Sequence, residues 1–163
     1  MTWREAFLAQ ARHEHAIYVQ FSQRGAAMAD QLHYLQMATE KLARGYLAHP
    51  SDPEPPETTH AGFIRLLQQI KADPPLRRRL GFTNSRVFSA FVDSLLDLAG
   101  KVQALAPAIA GTTRPNPEYP WVDSKSKAIL VPFQFQSSEL GEFKNARATK
   151  LLNLVRRLVI VIT

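Results

Sequence analysis

Apolar residues recur at steps of three and four through most of the chain, most regularly over residues 28–47. There Met28, Leu32, Leu35, Ala38, Leu42 and Tyr46 line one helical face, and neither Pro nor Gly intervenes before Gly45. Gln36 and Glu40 lie four apart, and Lys41 and Gly45 fall on the neighbouring row. A polar ridge with small residues therefore runs beside the apolar stripe, the pattern of a central helix packed on one side and open on another. Upstream, Thr2 followed by Glu5 is a capping-box spacing. A first helix from there to about Arg24 carries Trp3, Phe7, Ala11, Tyr18 and Phe21 along one side, and Gly25 breaks it. So short a connection predicts an antiparallel helical hairpin.

The segment His49 to Thr59 holds four prolines and no large apolar residue, and reads as a surface loop. A third helix is predicted from about His60 to Lys71, with Phe63, Leu66, Leu67 and Ile70 inward and Asp73-Pro74-Pro75 ending it. One short turn, Leu76 to Leu80, follows. Asn84 or Ser85 then caps a long helix reaching about Ala106, apolar around most of its circumference. Gly100 inside it predicts a close helix crossing, and Pro107 ends or kinks it.

Periodicity vanishes from Gly111 to Gln136, where only Ile129 to Phe135 has a weakly extended character. Tyr119, Trp121, Phe133 and Phe135 imply an excursion that docks back onto the helices. A final helix is expected from about Ser138, with Leu140, Phe143, Leu151, Leu154 and Leu158 in register. It closes on the apolar run Leu158 to Ile162, to be buried in this domain or against a second copy. The prediction is one all-α domain, an antiparallel up-and-down bundle of four to five helices. Residues 1–110 would form the core bundle, 111–137 a Pro- and aromatic-rich excursion, and 138–163 the C-terminal helix.

At 163 residues and 45% hydrophobic, the chain can bury a substantial single core. It has no cysteine, which excludes disulfides and thiolate metal sites. The opening MTWREAF carries an acid and no apolar stretch, and no apolar run reaches the ~20 residues a membrane span needs. A cytoplasmic protein with no membrane partner is expected. The net charge of +6 is uneven: residues 1–60 carry 5 basic against 7 acidic side chains, residues 61–163 carry 15 against 7. The second half could thus meet nucleic acid or another anion, through Arg77, Arg78, Arg79 and Arg86 or through Lys144, Arg147, Lys150, Arg156 and Arg157. No aromatic interleaving accompanies them, so a stacking single-strand binder is not indicated.

The run Gln36-Met37-Ala38-Thr39-Glu40-Lys41-Leu42-Ala43-Arg44-Gly45-Tyr46-Leu47 resembles the second-helix signature of the HEPN superfamily, in which Gln-x-Ala-x-Glu-Lys is followed by a basic residue, a small residue and an apolar pair. Thr59-His60 ahead of Phe63, Leu66 and Leu67 is similar to the family's opening of its third helix. The resemblance covers about residues 1–110. It implies a helical bundle that commonly dimerises, in RNA-cleaving toxins and defence nucleases or in partners of nucleotidyltransferases. Active members carry Arg and then His, four to six residues between, near the start of the last core helix. There Arg would hold phosphate charge and His the proton of the ribose 2′-OH, without metal. After Asn84 this chain has no histidine, and Arg44 with His49 is its one match to that spacing.

Other constellations each have a structural and a functional reading. His13, Glu14 and His15, with His33 and His60, hold metal-ligating chemistry, but His13 and His15 two apart fall on different helical faces, so surface histidines and no metal are expected. Glu40 beside Lys41 is either a semi-buried ion pair, with a basic residue such as Arg12, or a nucleotide or partner contact. Asn116-Pro117-Glu118-Tyr119-Pro120-Trp121 fixes its backbone with prolines, so Glu118, Tyr119 and Trp121 either plug the bundle's open end or bind a partner or nucleotide. No phosphate loop, catalytic triad or carboxylate pair stands out, and no cofactor is expected. Function then reads as a non-catalytic or divergent HEPN-like dimerising interaction module, with a metal-independent ribonuclease and a basic nucleic-acid binder as alternatives.

Overall fold

Thr2 starts the fold as its spacing to Glu5 requires. Its Oγ1 accepts from Glu5 N at 3.2 Å while the Glu5 carboxylate accepts from Thr2 N at 2.7 Å, and α1 runs Trp3–Gln23. Gly25, at φ +65°, turns the chain into α2, Met28–Leu47. The two helices run antiparallel with a register visible along their length. Arg4 Nη1 donates to Tyr46 O, Leu8 faces Gly45, and the rings of Phe21 and Tyr34 meet edge to face at 5.2 Å. Among the described residues this is the most extensive helix interface. The computed structural model describes residues 1–49, 51, 54, 61–111, 114, 116–132 and 145–162.

Helix α3, Gly62–Ile70, buries Phe63, Leu66, Leu67 and Ile70 against α2. Most of the Pro-rich loop before it, with Thr59 and His60, lies outside the described residues. Asp73 begins the next element instead of closing α3. Its Oδ1 accepts from Leu76 N at 2.9 Å, and α4 (Pro74–Arg79) starts with proline in the first turn, where a missing N–H is harmless. The other Asp73 oxygen accepts from the Tyr46 hydroxyl at 3.0 Å, which ties α4 to the end of α2.

The long helix expected up to Ala106 is two helices, α5 (Ser85–Asp93) and α6 (Leu96–Ala104), and Pro107, expected to end or kink it, opens the short α7 (Pro107–Ala110). Asn84 caps α5, accepting from Arg86 N and Val87 N. The break falls at Ser94–Leu95. Ser94 Oγ donates to Phe91 O, and Ser94 O accepts from Arg147 Nε, both at 2.7 Å. Side-chain bonds thus replace the helical ladder at that point. Gly100 sits inside α6 at the predicted close crossing, where an added Cβ would lie 3.3 Å from Ile64 Cδ1.

Beyond α7 the excursion contains a strand pair, of which only the second strand falls in the stretch expected to be weakly extended. Trp121–Val122 (β1) pairs antiparallel with Ile129–Leu130 (β2), Trp121 opposite Leu130. Asp123 braces the turn by accepting from Ser126 N and Ser126 Oγ, and those bonds hold its carboxyl below the usual carboxylate range. Phe133 and Phe135 lie outside the described residues. The last helix, α8 (Ala146–Val161), begins eight residues later than expected. Asn145 is extended and its side chain accepts from Ala148 N at 2.8 Å, the geometry of an N-cap. Leu140, Phe143 and Lys144 lie outside the described residues. Helix α8 packs on α1, α2 and α6, and Leu158, Val159 and Ile162 of its apolar run are buried within this domain while Ile160 is 66% exposed. The result is an all-α bundle with one small hairpin, and among the described residues no helix is long and apolar enough to cross a membrane.

Candidate functional site

The polar ridge of α2 is folded inward more than its composition suggests. Gln36 and Thr39 are buried, with Thr39 Oγ1 donating to Gln36 O at 2.9 Å. Gln36 Nε2 donates to Glu40 Oε2 at 3.1 Å, and Glu40 pairs with Arg44 at 3.8 Å and Lys41 at 3.9 Å on its own helix. The expected partner Arg12 is exposed on α1. Gln36, Thr39 and Glu40 border a cavity of about 10 Å³ shared with Phe63 and Gln103, the room of a single water and far below that of a nucleotide.

Arg44 and His49 occupy different settings. The Arg44 guanidinium lies 4.4 Å from the centre of the Phe7 ring and beside Glu40, inside the α1–α2 interface. His49 lies beyond the end of α2, exposed, with its Nδ1 2.6 Å from Ser51 Oγ and accepting from Ser51 N. Of the basic cluster, Arg77 is half-buried and Arg78 and Arg79 are exposed on α4, whose last turn is closed by Arg157 donating to Leu80 O.

The Asn116–Trp121 string divides. Trp121 is 4% exposed and belongs to the core, whereas Tyr119 is 59% exposed. What holds the two apart is Asn116, which the sequence reading did not single out. It is completely buried, and its Oδ1 accepts from Glu118 N at 3.0 Å and Tyr119 N at 2.7 Å, an Asx turn that sets the backbone of both. Glu118 is thereby brought to His33 of α2, its Oε1 3.1 Å from Nδ1. Around them lies an open groove of about 610 Å³ at the end of the bundle where α1 turns into α2. It is lined by Phe21 and Tyr34, whose rings meet edge to face, by His33, whose ring lies 5.0 Å from that of Tyr34, by Pro117 and Tyr119 of the excursion, and by the exposed Asp30. The groove unites Glu118 and Tyr119 from the predicted residues; Glu40, Lys41, Arg44, His49 and Arg77 to Arg79 lie elsewhere. Nothing in the residue pattern signals that Phe21, Asp30 and Tyr34 join them, because they sit on two helices more than 80 residues upstream of Glu118.

Comparison with protein-family models, curated proteins and solved structures returns no match.

The histidines separate as well. His13 is exposed, but His15, expected at the surface, is buried because α8 covers that part of α1. Burial first, and the nearby charge of Arg156 second, pull its pKa below the ordinary value. Glu14 beside it is buried too and accepts from Gln10 Nε2 at 2.6 Å. Among the described residues no three His, Asp or Glu side chains converge as a metal site would need.

Proposed function

We propose that this chain is a non-catalytic, HEPN-like interaction module that works as a homodimer and offers the groove between the α1–α2 turn and the excursion to a partner. The observation that carries this reading is the placement of Arg44. Metal-free RNA cleavage needs a guanidinium on the phosphate and an imidazole at the 2′-OH of one nucleotide. Arg44 instead stacks on Phe7 and pairs with Glu40, while His49 is bonded to Ser51 beyond the helix end. Neither arrangement favours a shared nucleotide. The setting implied by the resemblance, a toxin–antitoxin or defence system with a nucleotidyltransferase-type partner, belongs to the same proposal.

Two measurements test it. Labelled RNA incubated with the protein in EDTA should stay intact. Turnover abolished by Arg44→Ala or His49→Ala would refute the module in favour of a ribonuclease. Sedimentation should give a dimer, and Ile160→Asp should dissociate it with the fold intact, since Ile160 projects outward while its neighbour Val159 is core. A monomer at all accessible concentrations would remove the dimer from the proposal.

A further inference from the structure

The groove's chemistry allows its occupant to be narrowed. Its aromatic surfaces come from Phe21, Tyr34 and Tyr119, and its charged lining residues are the carboxylates Asp30 and Glu118, with His33 beside the latter. Among the described residues no Lys or Arg lines it. Aromatic faces carry negative quadrupole charge and attract cations within about 6 Å, and two carboxylates add Coulomb attraction of the same sense. The same residues repel phosphate. The first-turn amides of α2 do not reverse this, because Asp30 stands in that turn and answers the helix's positive end.

Glu118 and Tyr119 are also pre-positioned. Asn116 fixes both backbone amides from a fully buried position, and Pro117 and Pro120 bracket them, so little conformational freedom is lost when a ligand arrives. A volume of about 610 Å³ open along one side suits a side chain on an extended chain better than an enclosed small molecule.

We propose that the groove of Phe21, Tyr34, Glu118 and Tyr119 binds a cationic side chain, arginine above all, presented by an extended basic segment of a partner protein. A guanidinium lies flat on an aromatic face and forks to a carboxylate at the same time, which Glu118 beside the aromatic side chains permits. The inference rests on the interaction-module reading and specifies what that module recognises.

The test uses the full ¹⁵N-labelled protein and the peptide acetyl-Gly-Arg-Gly-Arg-Gly-amide, with its citrulline counterpart as the neutral isostere. The arginine peptide should shift the amides of Tyr34, Glu118 and Tyr119 saturably, and the citrulline peptide should bind about tenfold more weakly or less. Glu118→Gln and Tyr119→Ala, both outside the core, should each weaken binding about tenfold while circular dichroism stays unchanged. Equal binding of the two peptides, or unaltered binding by both variants, overturns the proposal. So does a short RNA that shifts the same amides at lower concentration. A dimer that leaves RNA intact yet ignores the peptide refutes the groove assignment alone, whereas RNA turnover refutes the module and leaves the peptide titration to judge the groove.

Discussion

Gly45→Ala is the substitution whose sign the packing decides against local propensity. In an open helix, Ala in place of Gly stabilises by roughly 1 kcal/mol. At residue 45 a new Cβ would stand 2.7 Å from both Cγ and Cδ2 of Leu8 and 3.1 Å from Leu8 N. Carbon atoms rest about 3.5–4.0 Å apart, so the Leu8 side chain must retreat by about 1 Å inside a filled core. Leu8 is itself buried, and the contact to its amide nitrogen means that the two helix backbones must also part slightly. Overpacking of this kind costs about 1–3 kcal/mol. With backbone involved, the upper end applies, and the net loss after the propensity gain is about 2 kcal/mol. For a domain of this size that lowers Tm by roughly 4–8 °C. Urea unfolding followed at 222 nm would measure it, within a cycle that includes Leu8→Ala. Alone, Leu8→Ala should cost about 2–5 kcal/mol. In that background Gly45→Ala should lose most of its penalty, a coupling of about 2 kcal/mol. Gly100→Ala is the internal control, because its new Cβ meets only the flexible tip of Ile64 and should be near neutral or mildly stabilising. A Gly45→Ala protein more stable than the parent, or a cycle without coupling, would refute the close α1–α2 approach.

Three further outcomes follow from single groups. Asn116→Ala strips two part-buried acceptor bonds, from Glu118 N and Tyr119 N, and should cost about 1–3 kcal/mol; hydrogen exchange should quicken at both amides first, and unchanged protection would contradict the clamp. Because the folded pKa of His15 is depressed, the unfolded chain takes up its proton first as pH falls below about 6.5. Stability from this group is therefore present above that pH and lost beneath it, so the drop in urea midpoint between pH 7.5 and 5.5 should be smaller in His15→Gln. Tyr46 behaves oppositely: burial, with help from its bond to Asp73, pushes its pKa up to about 12, so its contribution holds below pH 10 and fades towards pH 12. Tyr46→Phe should flatten that alkaline slope and cost about 1 kcal/mol at neutral pH, and an unaltered alkaline profile would count against the Tyr46–Asp73 bond.

Much of the helical scaffold was legible in the residues alone. The α1 capping box, the α2 stripe and the inward face of α3 depend on neighbours three and four apart, and that information is local. Gly100 likewise announced a close crossing through the absence of a side chain. Other features waited on distant residues. The α5–α6 break depends partly on Arg147, 53 residues away from Ser94, and nothing in the apolar pattern of residues 85–106 records it. Strands β1 and β2 are two residues each, too short for alternation to register.

The candidate site follows the same division. Local chain chemistry marked Asn116 to Trp121 as a stiff, aromatic and acidic segment, because prolines constrain backbone regardless of context. Tertiary structure alone decided that Trp121 turns into the core while Glu118 and Tyr119 turn out, since one buried Asn116 acceptor organises both amides. It also decided that His33, Tyr34 and Phe21 stand opposite them, and that Arg44 faces Phe7. Periodicity determines which residues share a helical face; which faces meet depends on how the helices pack, and the groove exists only at that meeting.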